Sequence, residues 1–119
     1  MPAALRATAD ASLGDAPLDV QRYLSRDYYE REKTNLWPRV WQSLCRESEV
    51  SKPGDYYVHD IADRSVLLVR TECSDLRAYP NACLHRGRQL KSGSPSGLGQ
   101  AESITCPFHG FSWQLGGRF

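Results

Sequence analysis

Cys83-Leu84-His85-Arg86-Gly87 and Cys106-Pro107-Phe108-His109-Gly110 are the two places in this chain where soft metal ligands gather, with twenty residues between His85 and Cys106. A C-x-H pair is thus followed by a C-x-x-H pair, so two thiolates and two imidazoles are available. Thiolates suit zinc, copper(I) and iron–sulfur clusters, and imidazole suits zinc, copper and iron, so the mixed set narrows the metal without fixing it. The order of the ligands narrows it further. A zinc finger of the common kind spends both cysteines on one knuckle and both histidines on a later helix, whereas each loop here contributes one of each. That arrangement suits a binuclear centre, with the first residue of each loop on a buried iron and the last on an outer iron nearer solvent. A mononuclear zinc site is the alternative.

The two loops closely resemble the Rieske [2Fe–2S] motif, in which two histidines replace two cysteines on one iron. The resemblance assigns Cys83 and Cys106 to the inner iron and His85 and His109 to the outer one. It extends to Gly87 and Gly110, expected to let the backbone approach the cluster without a Cβ and to leave an N–H free to point at a sulfur. Respiratory Rieske proteins carry an extra cysteine in each loop, forming a disulfide, and a serine directly after the second His-Gly. Here Arg88, Phe108 and Phe111 stand at those positions.

The run from Tyr79 to Gly87, with Cys-Pro-Phe-His-Gly-Phe after it, is instead similar to the N-terminal domain of a Rieske non-haem iron oxygenase α subunit, the aromatic ring-hydroxylating family. The likeness covers roughly Tyr23 to Phe119. It implies a cluster domain that passes single electrons to a mononuclear iron held by two His and a carboxylate in a neighbouring subunit. It further implies a ferredoxin or flavin reductase as electron donor and a homo-oligomer at full length. No such triad is available here, because all three histidines are accounted for. A free-standing Rieske ferredoxin is the runner-up, with His-Arg-Gly and the aromatic N-terminal segment against it. The spacing between the loops exceeds the commonest oxygenase spacing, and Ser92 to Gly97 reads as a surface insertion that absorbs the difference.

The bulk properties are those of one ordinary globular domain. The chain has 119 residues, 40% hydrophobic and 24% charged, and a net charge of +1; that length allows a single modest core. The charge balance gives no reason to invoke nucleic acid or an acidic membrane. No continuous apolar run of membrane-spanning length occurs, and the cytoplasm is the expected compartment. Cys45 and Cys73, the two cysteines outside the loops, are expected to be thiols packed as small or half-buried residues.

Taken in order, residues 1–20 are expected to be a mobile tail, 21–50 an aromatic helical lead-in, and 51–119 the cluster domain, with a catalytic domain missing beyond it. Asp27 and Glu30 read as a capping box for a helix over Tyr28 to Asn35, which Pro38 should end. Leu36, Trp37, Val40, Trp41 and Leu44 recur at helix-like spacing and are expected to pack against the sheet or against missing protein. After the Pro53-Gly54-Asp55 turn, Tyr56 to His59 and Ser65 to Arg70 read as a hairpin, with Leu76 to Tyr79 as a third strand ended by Pro80. Ala101 to Thr105 and Phe111 to Leu115 are expected strands flanking the second loop, Gly116-Gly117 a hairpin turn, and Arg118-Phe119 the start of another strand. His59, on a predicted strand, reads as an ordinary polar residue. The expected fold is a mainly β domain of short antiparallel strands, capped by two metal-binding loops and preceded by a helix.

Overall fold

The computed structural model describes residues 17, 19–92 and 97–119. Most of the expected tail and of the Ser/Gly insertion lie outside the described residues. The chain enters through a single helical turn, α1 (Gln21–Leu24), and then α2 (Arg26–Asn35). Ser25 joins them. Its extended backbone (φ −74°, ψ 123°) ends α1, and its hydroxyl accepts a hydrogen bond from the Tyr28 N–H at 3.3 Å to cap α2. The cap is therefore Ser25 and not Asp27. Asp27 instead sits in the first turn, where a carboxylate meets the positive end of the helix, and Glu30 pairs with Arg26 and Lys33 along the helix face. Lys33 also reaches Asp63 at 3.4 Å, linking α2 to the first hairpin.

Helical geometry stops at Asn35, as Pro38 requires, and Trp37–Arg39 forms a 3₁₀ turn. The expected helical stripe from Leu36 to Leu44 does not form. Residues 41–46 are irregular, and Trp41 is fully exposed, with Leu36 and Val40 partly so. A second 3₁₀ turn, Glu47–Val50, is closed by the Glu49 carboxylate on the Arg46 N–H at 2.8 Å.

Six strands follow among the described residues: β1 (Asp55–Ile61), β2 (Arg64–Arg70), β3 (Leu76–Pro80), β4 (Leu98–Gln100), β5 (Ile104–Thr105) and β6 (Ser112–Trp113). The first four form an antiparallel sheet in the order β3-β2-β1-β4, and β5 and β6 pair in a separate two-stranded ribbon. β1 and β2 turn over through Ala62 and Asp63, with Ala62 at φ 54°. Pro80 is tolerated because it is the last residue of an edge strand, where a missing N–H breaks no ladder. Strand β4 was not legible, since Leu-Gly-Gln has no alternation. The expected strands at 101–105 and 111–115 shrink to two residues each. Gly116-Gly117 do lie in a turn, closed from Gly117 N–H to the Gln114 carbonyl at 2.8 Å, but Arg118 and Phe119 form no strand.

Val58, Leu67 and Val69 point from the sheet into a core completed by Cys83, Leu90, Ile104, Cys106, Trp113 and Leu115, with Tyr56 and Tyr79 against it. Val58 lies opposite Leu67, and Leu67 opposite Tyr79, so one cross-strand row runs toward the first loop. Two of the four expected metal ligands are therefore also core residues. The apolar collapse that folds the sheet is the same event that draws Cys83 and Cys106 together.

Candidate metal centre

The two loops are closed by the same pair of backbone hydrogen bonds. The Cys83 N–H donates to the Arg88 carbonyl at 2.7 Å, and the Gly87 N–H to the Cys83 carbonyl at 2.8 Å. In the second loop the Cys106 N–H donates to the Phe111 carbonyl at 2.7 Å, and the Gly110 N–H to the Cys106 carbonyl at 3.1 Å. Each loop is thus one turn of five residues ending on a glycine in left-handed conformation, Gly87 at φ 70° and Gly110 at φ 75°. A Cβ at either glycine would meet no protein atom within 4 Å. What demands glycine is the backbone conformation. The glycine N–H groups are not free as expected, because each closes its own loop on the cysteine carbonyl.

On this repeated frame the histidine comes two residues after the cysteine in one loop and three in the other, and the two imidazoles meet at a centroid distance of 5.0 Å. Cys83 and Cys106 are 4% and 2% exposed, while His85 and His109 are exposed. The four side chains fall into a buried sulfur pair and an outer imidazole pair. Among the described residues no three of His, Cys, Asp and Glu gather around one point.

The Cys106 thiol is held below its ordinary value. The Phe108 N–H is the largest cause; the His109 N–H, the Cys83 thiol and the Arg88 charge add to it, and burial works against them. A thiolate in a buried position is costly unless donors surround it, and this loop supplies two backbone donors. The residues present therefore fit a sulfur-rich cluster with thiolate ligands inside and imidazole ligands outside.

Aromatic rings lie against the imidazoles. Phe111 lies 5.1 Å from the His85 ring and Phe108 4.0 Å from the His109 ring, and Leu84, Phe108 and Phe119 are exposed. Arg88, Pro107 and Phe108 line one cleft beside the loops. His59 sits on β1 opposite Val66, with its ring 6.0 Å from Tyr57, apart from the ligand loops. Cys45 is half-buried, its thiol pushed up by burial and by Glu49. Cys73 is exposed, contrary to its expected packing.

Two positioning contacts were missed at the level of sequence. Asn81, only 3% exposed, is bonded to Lys91 beyond the first loop and to Ser65 on β2. The Tyr79 hydroxyl donates to the Leu115 carbonyl at 3.0 Å, joining the edge of the main sheet to the chain after β6.

Residues 40–119 match the Rieske [2Fe-2S] domain. The chain is 38% identical over 97 residues to the carnitine monooxygenase oxygenase subunit of Escherichia coli (strain K12), covering 81% of this chain and 25% of that protein. It is 30% identical over 101 residues to the benzene 1,2-dioxygenase subunit alpha of Pseudomonas putida, covering 85% and 22%. A solved quaternary ammonium Rieske monooxygenase, whose structure was described with carnitine oxidation and inter-subunit electron transfer, superposes with a TM-score of 0.71 at 33% identity, covering 81% of this chain and 26% of that one. The chain thus spans about a quarter of the length of the curated relatives it matches. With the paired loops, the buried sulfurs and the exposed imidazoles in place, this chain belongs to the Rieske [2Fe–2S] domain family.

Proposed function

We propose that residues 51–119 are the electron-carrying domain of a Rieske oxygenase α subunit, with residues 21–50 as its lead-in and 1–20 as a tail. Cys83 and Cys106 would hold the inner iron and His85 and His109 the outer one. The observation that carries this reading is the division of the ligands: two buried sulfurs and two solvent-facing imidazoles on loops of the same construction. The [2Fe–2S] cluster supplies reversible one-electron chemistry when bound. The protein supplies the rest. Buried cysteines keep the inner side dry, and the Phe108 and His109 N–H groups offset negative charge at Cys106. The exposed imidazoles would offer a ring N–H to a partner.

The acceptor in this reading is a mononuclear iron in the catalytic domain of a neighbouring α subunit. A homo-oligomer is implied, and the inter-subunit transfer described for the solved relative supports it. A ferredoxin or flavin reductase of the reducing cytoplasm is the donor. No helix among the described residues is long and apolar enough to cross a membrane. Relatives of both kinds, carnitine monooxygenase and ring-hydroxylating dioxygenase, support oxidation of a small organic substrate by the whole protein.

The test is reconstitution with iron and sulfide, followed by absorption and electron paramagnetic resonance spectra. Cys83→Ala, Cys106→Ala, His85→Ala and His109→Ala should each abolish the Rieske spectrum, because each removes a ligand and leaves its loop without a metal to order it. His59→Ala should leave the spectrum unchanged. Full iron and sulfide in either loop-histidine variant would defeat the assignment, and a colourless zinc-loaded protein would defeat the whole reading.

A further inference from the structure

The two ligand loops close alike but are held at their bases differently. The second loop is carried between β5 and β6, where Ile104 pairs with Trp113 and Thr105 with Ser112, and the Thr105 and Ser112 hydroxyls touch at 2.8 Å. No strand pair flanks the first loop in the same way, because Pro80 ends β3 and residues 90–92 are irregular. In its place stands the Asn81 carboxamide. Its Oδ1 accepts from the Lys91 N–H at 3.0 Å, and its Nδ2 donates to the Lys91 carbonyl at 2.7 Å. One side chain thus makes with Lys91 the two bonds that a backbone residue makes with its partner in an antiparallel pair. The other Nδ2 hydrogen reaches Ser65 Oγ at 3.0 Å, and the Asn81 N–H donates to the Ser65 carbonyl at 2.9 Å. The loop is therefore bolted to the start of β2 as well as closed on itself. Among side chains only a carboxamide offers two donors and an acceptor in this plane, and at 3% exposure water does not substitute for them.

We propose that Asn81 is a positioning residue for the cluster: its carboxamide replaces a missing β-bridge and fixes the first ligand loop, and with it Cys83 and His85, before and after the metal binds. This rests on the ligand assignment above. It implies that loss of Asn81 disturbs one half of the centre and spares the other, whereas loss of general stability loosens both.

The cluster-loaded 119-residue chain tests this through Asn81→Ala, Asn81→Asp and Ser65→Ala, each followed by paramagnetic resonance, cluster half-life in air and hydrogen exchange. Asn81→Ala should shift the resonance spectrum and shorten the half-life several-fold. Exchange should rise in peptides covering residues 83–91 and stay unchanged in those covering 106–113. Asn81→Asp keeps the acceptor but loses both donations, so it should fall between Asn81→Ala and the parent chain. Ser65→Ala removes one bond without touching Lys91, so it should show a smaller change in the same direction; it also serves if Asn81→Ala fails to fold. A parent chain lacking a Rieske spectrum would overturn the ligand assignment instead. With that spectrum present, Asn81 variants of unchanged spectrum and half-life, or exchange that rises equally in both loops, would overturn the positioning role.

Discussion

Arg88 and Phe108 occupy the positions where respiratory Rieske proteins carry a disulfide, and the structure places them on one cleft with Pro107. A guanidinium stem and an exposed ring cannot make that covalent shield, and Phe111 brings no hydroxyl to donate toward the cluster. Hydrogen bonds to sulfur and exclusion of solvent set the potential within a cluster type. What remains are the Phe108 and His109 N–H groups at Cys106 and an imidazole pair open to water. The reduction potential should accordingly lie in roughly the −150 to 0 mV part of the Rieske range. A redox titration checks this, and a value near about +300 mV would show that other donors reach the sulfurs. At this scale the candidate ligands stood out because Cys and His in a doubled pattern are chemically distinctive. Asn81 was not, since its partners are a serine 16 residues away and backbone groups 10 residues away. The glycine N–H groups misled for a similar reason. Spacing shows that a glycine is needed, but only geometry shows that Gly87 and Gly110 spend their N–H on closing the turn.

The lead-in is tied to the sheet by a buried arginine. Arg70, the last residue of β2, is 8% exposed and donates from Nε to the Val50 carbonyl at 2.8 Å, from one terminal nitrogen to the Ser74 carbonyl at 2.9 Å, and from the other to Glu47 at 3.0 Å. Two segments, the 3₁₀ turn Glu47–Val50 and the turn at Ser74, thus converge on one planar group whose donors diverge at fixed angles, which an ammonium cannot reproduce. Arg70→Met should cost about 2–4 kcal/mol, because it strands carbonyls at a buried site while restoring some packing. Arg70→Lys should recover less than half of that loss. Chemical denaturation of the cluster-loaded chain measures both, and equal stability of Arg70→Lys with the parent would show that charge alone suffices. The sequence showed this region only in part. The three strands of the main hairpin system followed from β-branched runs and turn residues, whereas β5 and β6, expected over 101–105 and 111–115, pair over only two residues each. The helix-like spacing from Leu36 to Leu44 failed because Pro38 sets a 3₁₀ turn and the chain then runs irregularly, leaving Trp41 in solvent.

Taken whole, the chain holds three histidines, and the structure uses two of them at the imidazole pair. The third, His59, is fixed in β1 beside Tyr57 and opposite Val66. Activation of oxygen at a mononuclear iron takes two His and one carboxylate with open positions, and no second pair of histidines exists to supply them. The 119-residue chain, loaded with its cluster, should therefore take up one electron from a reductase or ferredoxin and return it to an artificial acceptor. Given a reductase, oxygen and either an aromatic or a quaternary ammonium substrate, it should form no hydroxylated product coupled to oxygen uptake. Mass spectrometric search for product, alongside an oxygen electrode, decides the matter. Product in proportion to oxygen consumed would mean that His59 takes part in a second iron site, and His59→Ala would then abolish it while leaving the Rieske spectrum in place.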